Sequence, residues 1–122
     1  MFDSKTQLLF NQLVRKTDSG DLKWELTETK DAFQTIFKEG VIRVALVVLT
    51  NQMGQKVNEY RVLIFDKNGN MVDYINAQKL NPIYPAASLE DLKSLHQKAR
   101  GIATGSSQII NSILDELNSK SP

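Results

Sequence analysis

Apolar residues occupy both alternating sets of positions across much of residues 40–77, and this pattern predicts an antiparallel meander. Within residues 41–50 both sets of alternating side chains are apolar, and Arg43 is the only charged residue among them. Residues 60–65 repeat the pattern, again with apolar side chains on both sides. A sheet that is apolar on both faces needs two covers, so the position of the helices governs the rest of the structure.

Three further strands are predicted before and after the two strands at residues 41–50 and 60–65. Residues 22–28 alternate, with Leu22, Trp24 and Leu26 expected to point inward. Residues 31–37 fit either a helical turn or a short strand, and a strand is favoured because 38–40 then form a compact hairpin turn. Residues 71–76 follow an Asn-Gly pair, which is a strong signal for a hairpin.

Helical periodicity appears at both ends of the chain. Residues 4–18 carry an apolar stripe, and Gly20 is placed to end that helix. A second apolar seam follows Ser88, a good N-cap, and continues to Leu117. The seam keeps its phase through Gly101 and Gly105, so one long helix is favoured over a break near residue 104. The predicted fold is α+β: an antiparallel meander of four to five strands, with an N-terminal helix and a long C-terminal helix, in one domain spanning residues 1–122.

Composition narrows the classes of function. The net charge of +1 argues against nucleic acid or an anionic membrane as a partner, and the absence of cysteine excludes thiolate chemistry. The longest apolar run, residues 44–49, is far too short to span a membrane, and residues 1–5 lack the features of a signal peptide. We therefore expect a cytoplasmic protein that does not bind membranes.

Residues with catalytic or metal-binding chemistry are scarce in this sequence. His96 is the single histidine, and no nucleophile or carboxylate is placed beside it, so a position on a helix surface or at the rim of the core is favoured. Residues 66–70 resemble the start of a calcium loop, but Ala77 stands where that loop needs a glutamate. We expect no enzymatic activity, no catalytic residue, no cofactor and no bound metal.

The run Gly20-Asp21-Leu22-Lys23-Trp24-Glu25 enters the first strand after an amphipathic helix. Together with an Asp-x-x-Gly hairpin and a long closing helix, it resembles a loose group of small bacterial proteins of unknown function. The resemblance covers most of the chain. It implies an α-β-β-β-β-α order and a bacterial cytoplasmic setting, and it brings no catalytic residue, cofactor or substrate.

The surplus of apolar surface favours a protein-interaction module, such as an adaptor, a regulator or an inhibitor of another bacterial protein that the sequence does not identify. The alternative is a domain that binds a small apolar ligand in a closed cavity between sheet and helices. The residues expected to line that cavity are Phe33, Phe37, Leu63 and Phe65.

Self-association depends on which faces of the sheet the helices cover. If both helices pack on one face, the other stays bare, and a two-fold homodimer is the economical way to bury it. The residues expected at that interface are Val47, Leu49, Leu63 and Phe65. Pairing of the two strands across their short loop is expected to bring these four side chains together.

Overall fold

In the computed structural model, which describes residues 4–119, five antiparallel strands lie side by side in chain order. The strands are β1 (Glu25–Leu26), β2 (Ala32–Phe37), β3 (Gly40–Thr50), β4 (Lys56–Asp66) and β5 (Met71–Ile75). Helix α1 (Ser4–Asp18) precedes the sheet, and α2 (Ala77–Leu80), α3 (Pro85–Thr104) and α4 (Ser106–Ser119) follow it. The α+β fold predicted from the alternating pattern is confirmed.

The pairing register assigns each strand residue to one of two faces. Phe33 lies opposite Val44, Val44 opposite Val62, and Val62 opposite Ile75, so these four side chains form a row across one face. All four are buried. The helix residues in the same core come mainly from α1 and α3, with one from α2: Phe10, Leu13, Leu80, Leu92, Leu95 and Ala99. Both helices therefore pack on the face that carries this row, here called the inner face, and the opposite face is called the outer face.

The first strand is shorter than its alternation predicts. Only Glu25 and Leu26 pair with β2; Leu26 pairs with Phe33 and so shares the inner face as predicted, but it is 60% exposed. The side chain stays open because β1 is the edge strand. Trp24 is buried as predicted, and its indole Nε1 donates a hydrogen bond to the Thr17 hydroxyl at 3.0 Å. Trp24 and its hydrogen bond to Thr17 thus hold the end of α1 next to the start of the sheet.

The C-terminal helical region begins earlier than predicted. Helix α3 starts at Pro85 rather than after Ser88, because proline suits the first turn, where its missing N–H needs no partner. Ser88 is buried inside the helix. The short α2 was not predicted, and it is capped by Asn76, whose side chain accepts a hydrogen bond from the Lys79 N–H at 2.9 Å.

The continuous C-terminal helix favoured from sequence is also wrong. Gly105 has φ of 72°, in the left-handed region, and its N–H bonds to the Ile102 carbonyl at 3.2 Å. This geometry ends a helix, and glycine adopts it without the steric cost that other residues pay. The chain therefore turns at Gly105 and starts α4 in a new direction.

Two hairpin turns of the sheet have the same pattern of side-chain to backbone hydrogen bonds. Asp66 Oδ1 accepts hydrogen bonds from the N–H groups of Asn68 and Asn70, both at 2.9 Å. Asn51 Oδ1 does the same for Met53 and Gln55, also at 2.9 Å. At residue 66 these backbone hydrogen bonds, above all that from Asn70, hold the pKa of the carboxyl below its ordinary value of 3.8. The β4–β5 turn thus favours ionised Asp66, whereas the β3–β4 turn has no titrating group at the matching position.

Asp66→Asn is expected to make folding less sensitive to acid. Because the folded-state pKa is depressed, ionised Asp66 stabilises the fold above its unfolded pKa, and this contribution disappears as pH falls through the lower folded pKa. Asparagine keeps the acceptor oxygen, as Asn51 shows, but does not titrate. Urea unfolding between about pH 5 and about pH 2 should show a smaller loss of stability for the variant than for the native chain.

The control is Asp66→Ala, which removes the acceptor oxygen. This variant should be less stable than Asp66→Asn at every pH. Parallel pH profiles for the native chain and Asp66→Asn would contradict the role assigned to this carboxylate.

Candidate interaction surface

The outer face of the sheet carries apolar side chains, and none of the helices in residues 4–119 packs on it. The small side chains of Ala32 and Ala45 are buried between their strand neighbours, whereas the larger apolar side chains are half-buried or exposed. These larger side chains are Ile36, Val41, Val47, Leu49, Val57, Leu63 and Phe65. In other proteins, large exposed apolar patches mark sites of interaction.

The four residues predicted at the interface all lie on the outer face, but the structure divides them into two groups. Val47 lies opposite Glu59 and Leu49 opposite Val57, near the β3–β4 turn. Leu63 lies opposite Arg43, and Phe65 lies opposite Val41, at the other end of the hairpin.

The predicted contact between the two pairs is therefore wrong, because the turn pairs Thr50 with Lys56 and so fixes a different register. We name the two groups the turn cluster (Val47, Leu49 and Val57) and the Phe65 cluster (Ile36, Val41, Leu63 and Phe65).

Two arginines separate these clusters. The Arg43 guanidinium lies 5.4 Å from the centre of the Phe65 ring, and that of Arg61 lies 4.3 Å from the centre of the Tyr74 ring. Such stacking is attractive because the ring face is electron-rich. Flat arginines beside aromatic and aliphatic side chains are the composition enriched at protein–protein interfaces.

Both arginines already have acidic partners. Arg43 donates hydrogen bonds to Glu28 at 3.2 Å and to Gln34 at 3.0 Å, and Arg61 pairs with Glu59. The pKa of Glu28 is lowered, first by a backbone hydrogen bond and then by the positive charge of Arg43. The centre of the outer face is therefore close to neutral, and its attraction for a partner comes mainly from apolar contact.

His96 lies in the core of the protein, where its contacts are structural. It is buried, and its Nε2 lies 2.8 Å from the Asp31 carbonyl oxygen. A carbonyl only accepts, so Nε2 carries the proton and donates it. The imidazole also contacts the rings of Phe33 and Tyr60, at centroid distances of 5.3 and 5.2 Å. These contacts join α3 to the start of β2, and His96 lies deeper than the surface or rim position favoured from sequence.

The four residues expected to line a ligand cavity do not share one. Phe33 and Phe37 belong to the inner face, whereas Leu63 and Phe65 belong to the outer face, so the sheet itself separates the two pairs. Between α1 and α3 there is an open groove of about 430 Å³. Charged side chains line part of it, and Lys98 pairs there with Asp18 at 2.5 Å. This groove is not the enclosed apolar site that a small apolar ligand needs.

Residues 4–119 form neither a metal site nor a membrane-spanning helix. No group of three or more His, Asp or Glu side chains there is placed to hold a metal ion. No helix in that range combines the length and the apolar character needed to cross a bilayer.

Helix α4 presents a second apolar surface, which the sequence analysis missed. Residues 109, 113 and 117 were assigned to a seam that packs on the protein, yet every side chain described in α4 is exposed. Five of them, between 51% and 61% exposed, form one side of the helix, here called the α4 stripe: Ile109, Ile110, Ile113, Leu114 and Leu117. Gly105 is the residue that could have predicted this surface, since a helix that ends there no longer holds the later residues in the same packed seam.

Comparison of the chain with protein-family models, with curated proteins and with solved structures gives no match.

Proposed function

We propose that this chain is a non-catalytic protein-interaction module, an adaptor, a regulator or an inhibitor of another bacterial protein, that acts through the outer face of its sheet. The observation that carries the proposal is the uncovered apolar surface made by the turn cluster and the Phe65 cluster. A sheet face of this kind loses apolar area from water only when another protein surface packs on it.

Two features support a role without catalysis. The single histidine is buried, its Nε2 is bonded to the Asp31 carbonyl, and its ring packs against Phe33 and Tyr60, so its contacts are those of a core residue. The outer face is broad, and its polar centre consists of arginines bonded to glutamates and a glutamine of the same chain. Such a surface suits a protein partner better than a small molecule, which needs a concave site.

The first partner we propose for the outer face is a second copy of the chain. Burying each large apolar side chain is worth roughly 1.5–3 kcal/mol, and several together offset the cost of association. A two-fold arrangement covers this surface on both copies at once, and it is the commonest symmetry of homo-oligomers.

Light scattering on the native chain at micromolar concentration is expected to give twice the chain mass of 13.8 kDa. Phe65→Asp should reduce the mass to 13.8 kDa, because a carboxylate in the Phe65 cluster cannot be buried without a partner. The far-UV circular dichroism spectrum should be retained, since residue 65 lies outside the core shared with the helices.

The matched control is Val48→Asp. Val48 lies on β3 beside Val47 but on the opposite face, and it is 61% exposed. This variant should keep the dimer mass. A native chain that stays at 13.8 kDa, or a Val48→Asp variant that dissociates as readily as Phe65→Asp, would refute self-association through the outer face.

A further inference from the structure

Helix α4 is amphipathic, and nothing within residues 4–119 covers its apolar side. Its 14 residues place the α4 stripe on one side and serine, asparagine, glutamine and acidic side chains on the other. The helix packs principally against the end of α3, and its stripe stays open. Isolated helices of fewer than about 12–15 residues are marginal in water, and most helical stability in proteins comes from packing of the apolar side. The α4 stripe is therefore expected to pack on a partner surface.

The chemistry of α4 decides between classes of partner. Its charged residues, Asp115 and Glu116, are both acidic, and Ser106–Ser119 contains no lysine or arginine. Helices that lie on anionic membranes carry basic residues on the polar side, so a lipid surface does not fit. An apolar protein surface does, and the outer face of the sheet is one.

The area to be buried argues against a simple pair of α4 helices. Each half-exposed isoleucine or leucine offers on the order of 100 Å² of apolar surface, so one stripe offers about 500 Å². Two stripes packed on each other would bury about 1,000 Å², below the roughly 1,200–2,000 Å² of stable specific interfaces. Two stripes packed on two sheet faces would bury about 2,000 Å², in the range that a lasting dimer needs.

We propose that α4 of each copy packs its apolar stripe on the outer face of the other copy's sheet, so that the two chains exchange their C-terminal helices. This inference rests on the proposed function and names the element that covers the outer face. The left-handed turn at Gly105 separates α4 from α3 and leaves it free of its own chain's inner face. One two-fold axis then covers both surfaces that the chain leaves open.

The exchange is driven by apolar burial. Arg43 and Arg61 at the centre of the outer face are already paired with Glu28 and Glu59, so the acidic residues of α4 find little uncompensated positive charge there. The dimer should therefore be nearly insensitive to ionic strength, because screening acts on charges and not on apolar contact.

Point variants in the full chain test the role of the stripe. Ile113→Asp is expected to raise the dimer dissociation constant by roughly a hundred-fold to ten-thousand-fold, because both chains carry the variant and each dimer loses two buried isoleucines. Ser112→Asp, on the polar side of the same helix turn, should leave it unchanged. If Phe65→Asp dissociates the dimer and Ile113→Asp does not, the proposed function stands and the helix exchange is refuted. A native chain that is monomeric refutes both the homodimer and the helix exchange.

Cross-linking identifies the partner of the stripe directly. The chain has no cysteine, so single thiols can be placed without background. Ile113→Cys and Leu63→Cys chains are made separately, mixed under conditions that allow subunit exchange, and treated with a short bis-maleimide. Helix exchange predicts a covalent dimer chiefly in the mixture, joining one chain of each kind.

The other arrangements give different patterns in the same experiment. If Ile113→Cys chains cross-link efficiently with one another, the α4 helices of the dimer are paired. If Leu63→Cys chains do so, the two sheets pack face to face. A double variant that links within one chain, without a covalent dimer in the mixture, would show that α4 folds back on its own sheet. Each of these three results refutes the exchange.

Discussion

Val62→Asp is expected to prevent stable folding, the largest effect of any substitution considered. Val62 is fully buried in the middle of the inner face, between Val44 and Ile75 on the neighbouring strands. An aspartate there would be an unpaired charge in the core, which costs at least about 3–5 kcal/mol. Small domains have only about 5–15 kcal/mol of stability in total. The far-UV circular dichroism spectrum and the urea unfolding curve should both show loss of the native state.

Leu63→Asp is the matched control, because it places the same charge one residue further along β4. Leu63 points to the outer face, opposite Arg43, where no described helix covers it. The monomer of this variant should fold, with a cooperative urea transition, although its self-association should be lost. Unfolding of both variants would mean that both faces of the sheet are covered within one chain, contrary to the structure.

Phe33→Ala is expected to lower the free energy of unfolding by about 3–5 kcal/mol. The Phe33 side chain is 2% exposed and lies in the central row of the inner face, with its ring 5.3 Å from that of His96. Truncation leaves a cavity between the sheet and α3, and the loss of contacts around that cavity adds to the loss of apolar burial. The midpoint of urea unfolding should fall, while the slope of the transition stays the same.

Phe37→Ala provides the comparison within one strand. Phe37 lies on the same face of β2, four residues further along, and it is 44% exposed. Its truncation should cost much less, because part of the ring already contacts water. Equal losses for the two variants would contradict the position of the core beneath α3.

The meander could be predicted because its strands carry local signals. Alternating apolar side chains with valine and isoleucine favour strands, and turns rich in asparagine, aspartate and glycine separate them. At Asp66 the turn follows from the chemistry of a few consecutive residues, since the carboxylate accepts hydrogen bonds from residues two and four positions later. Interactions of such short range depend little on the rest of the chain.

Other features depend on partners that are distant in sequence. Gly40 reads as a turn residue, but a Cβ at this position would collide with the Phe65 backbone carbonyl, so close approach of β4 also requires glycine. His96 reads as a rim histidine, yet its hydrogen bond is to Asp31, which lies far away in the sequence. The register of β3 on β4 likewise separates Val47 and Leu49 from Leu63 and Phe65. These contacts arise only once the strands and α3 are assembled.

Local sequence patterns are enough to predict the order of the strands and the side chains that share a face of each strand. Alternation is a property of the backbone, so Val47, Leu49, Leu63 and Phe65 were placed correctly on one face. That α1 and α3 both cover the other face, and that the helix ends at Gly105, is seen only in the folded chain. Both faces are apolar, so alternation does not indicate which one is covered, and the helical seam that keeps its phase through Gly105 favours the continuous helix that the structure breaks. The choice depends on the packing of the whole chain, which buries Phe33, Val44, Val62 and Ile75 together and leaves the outer face open.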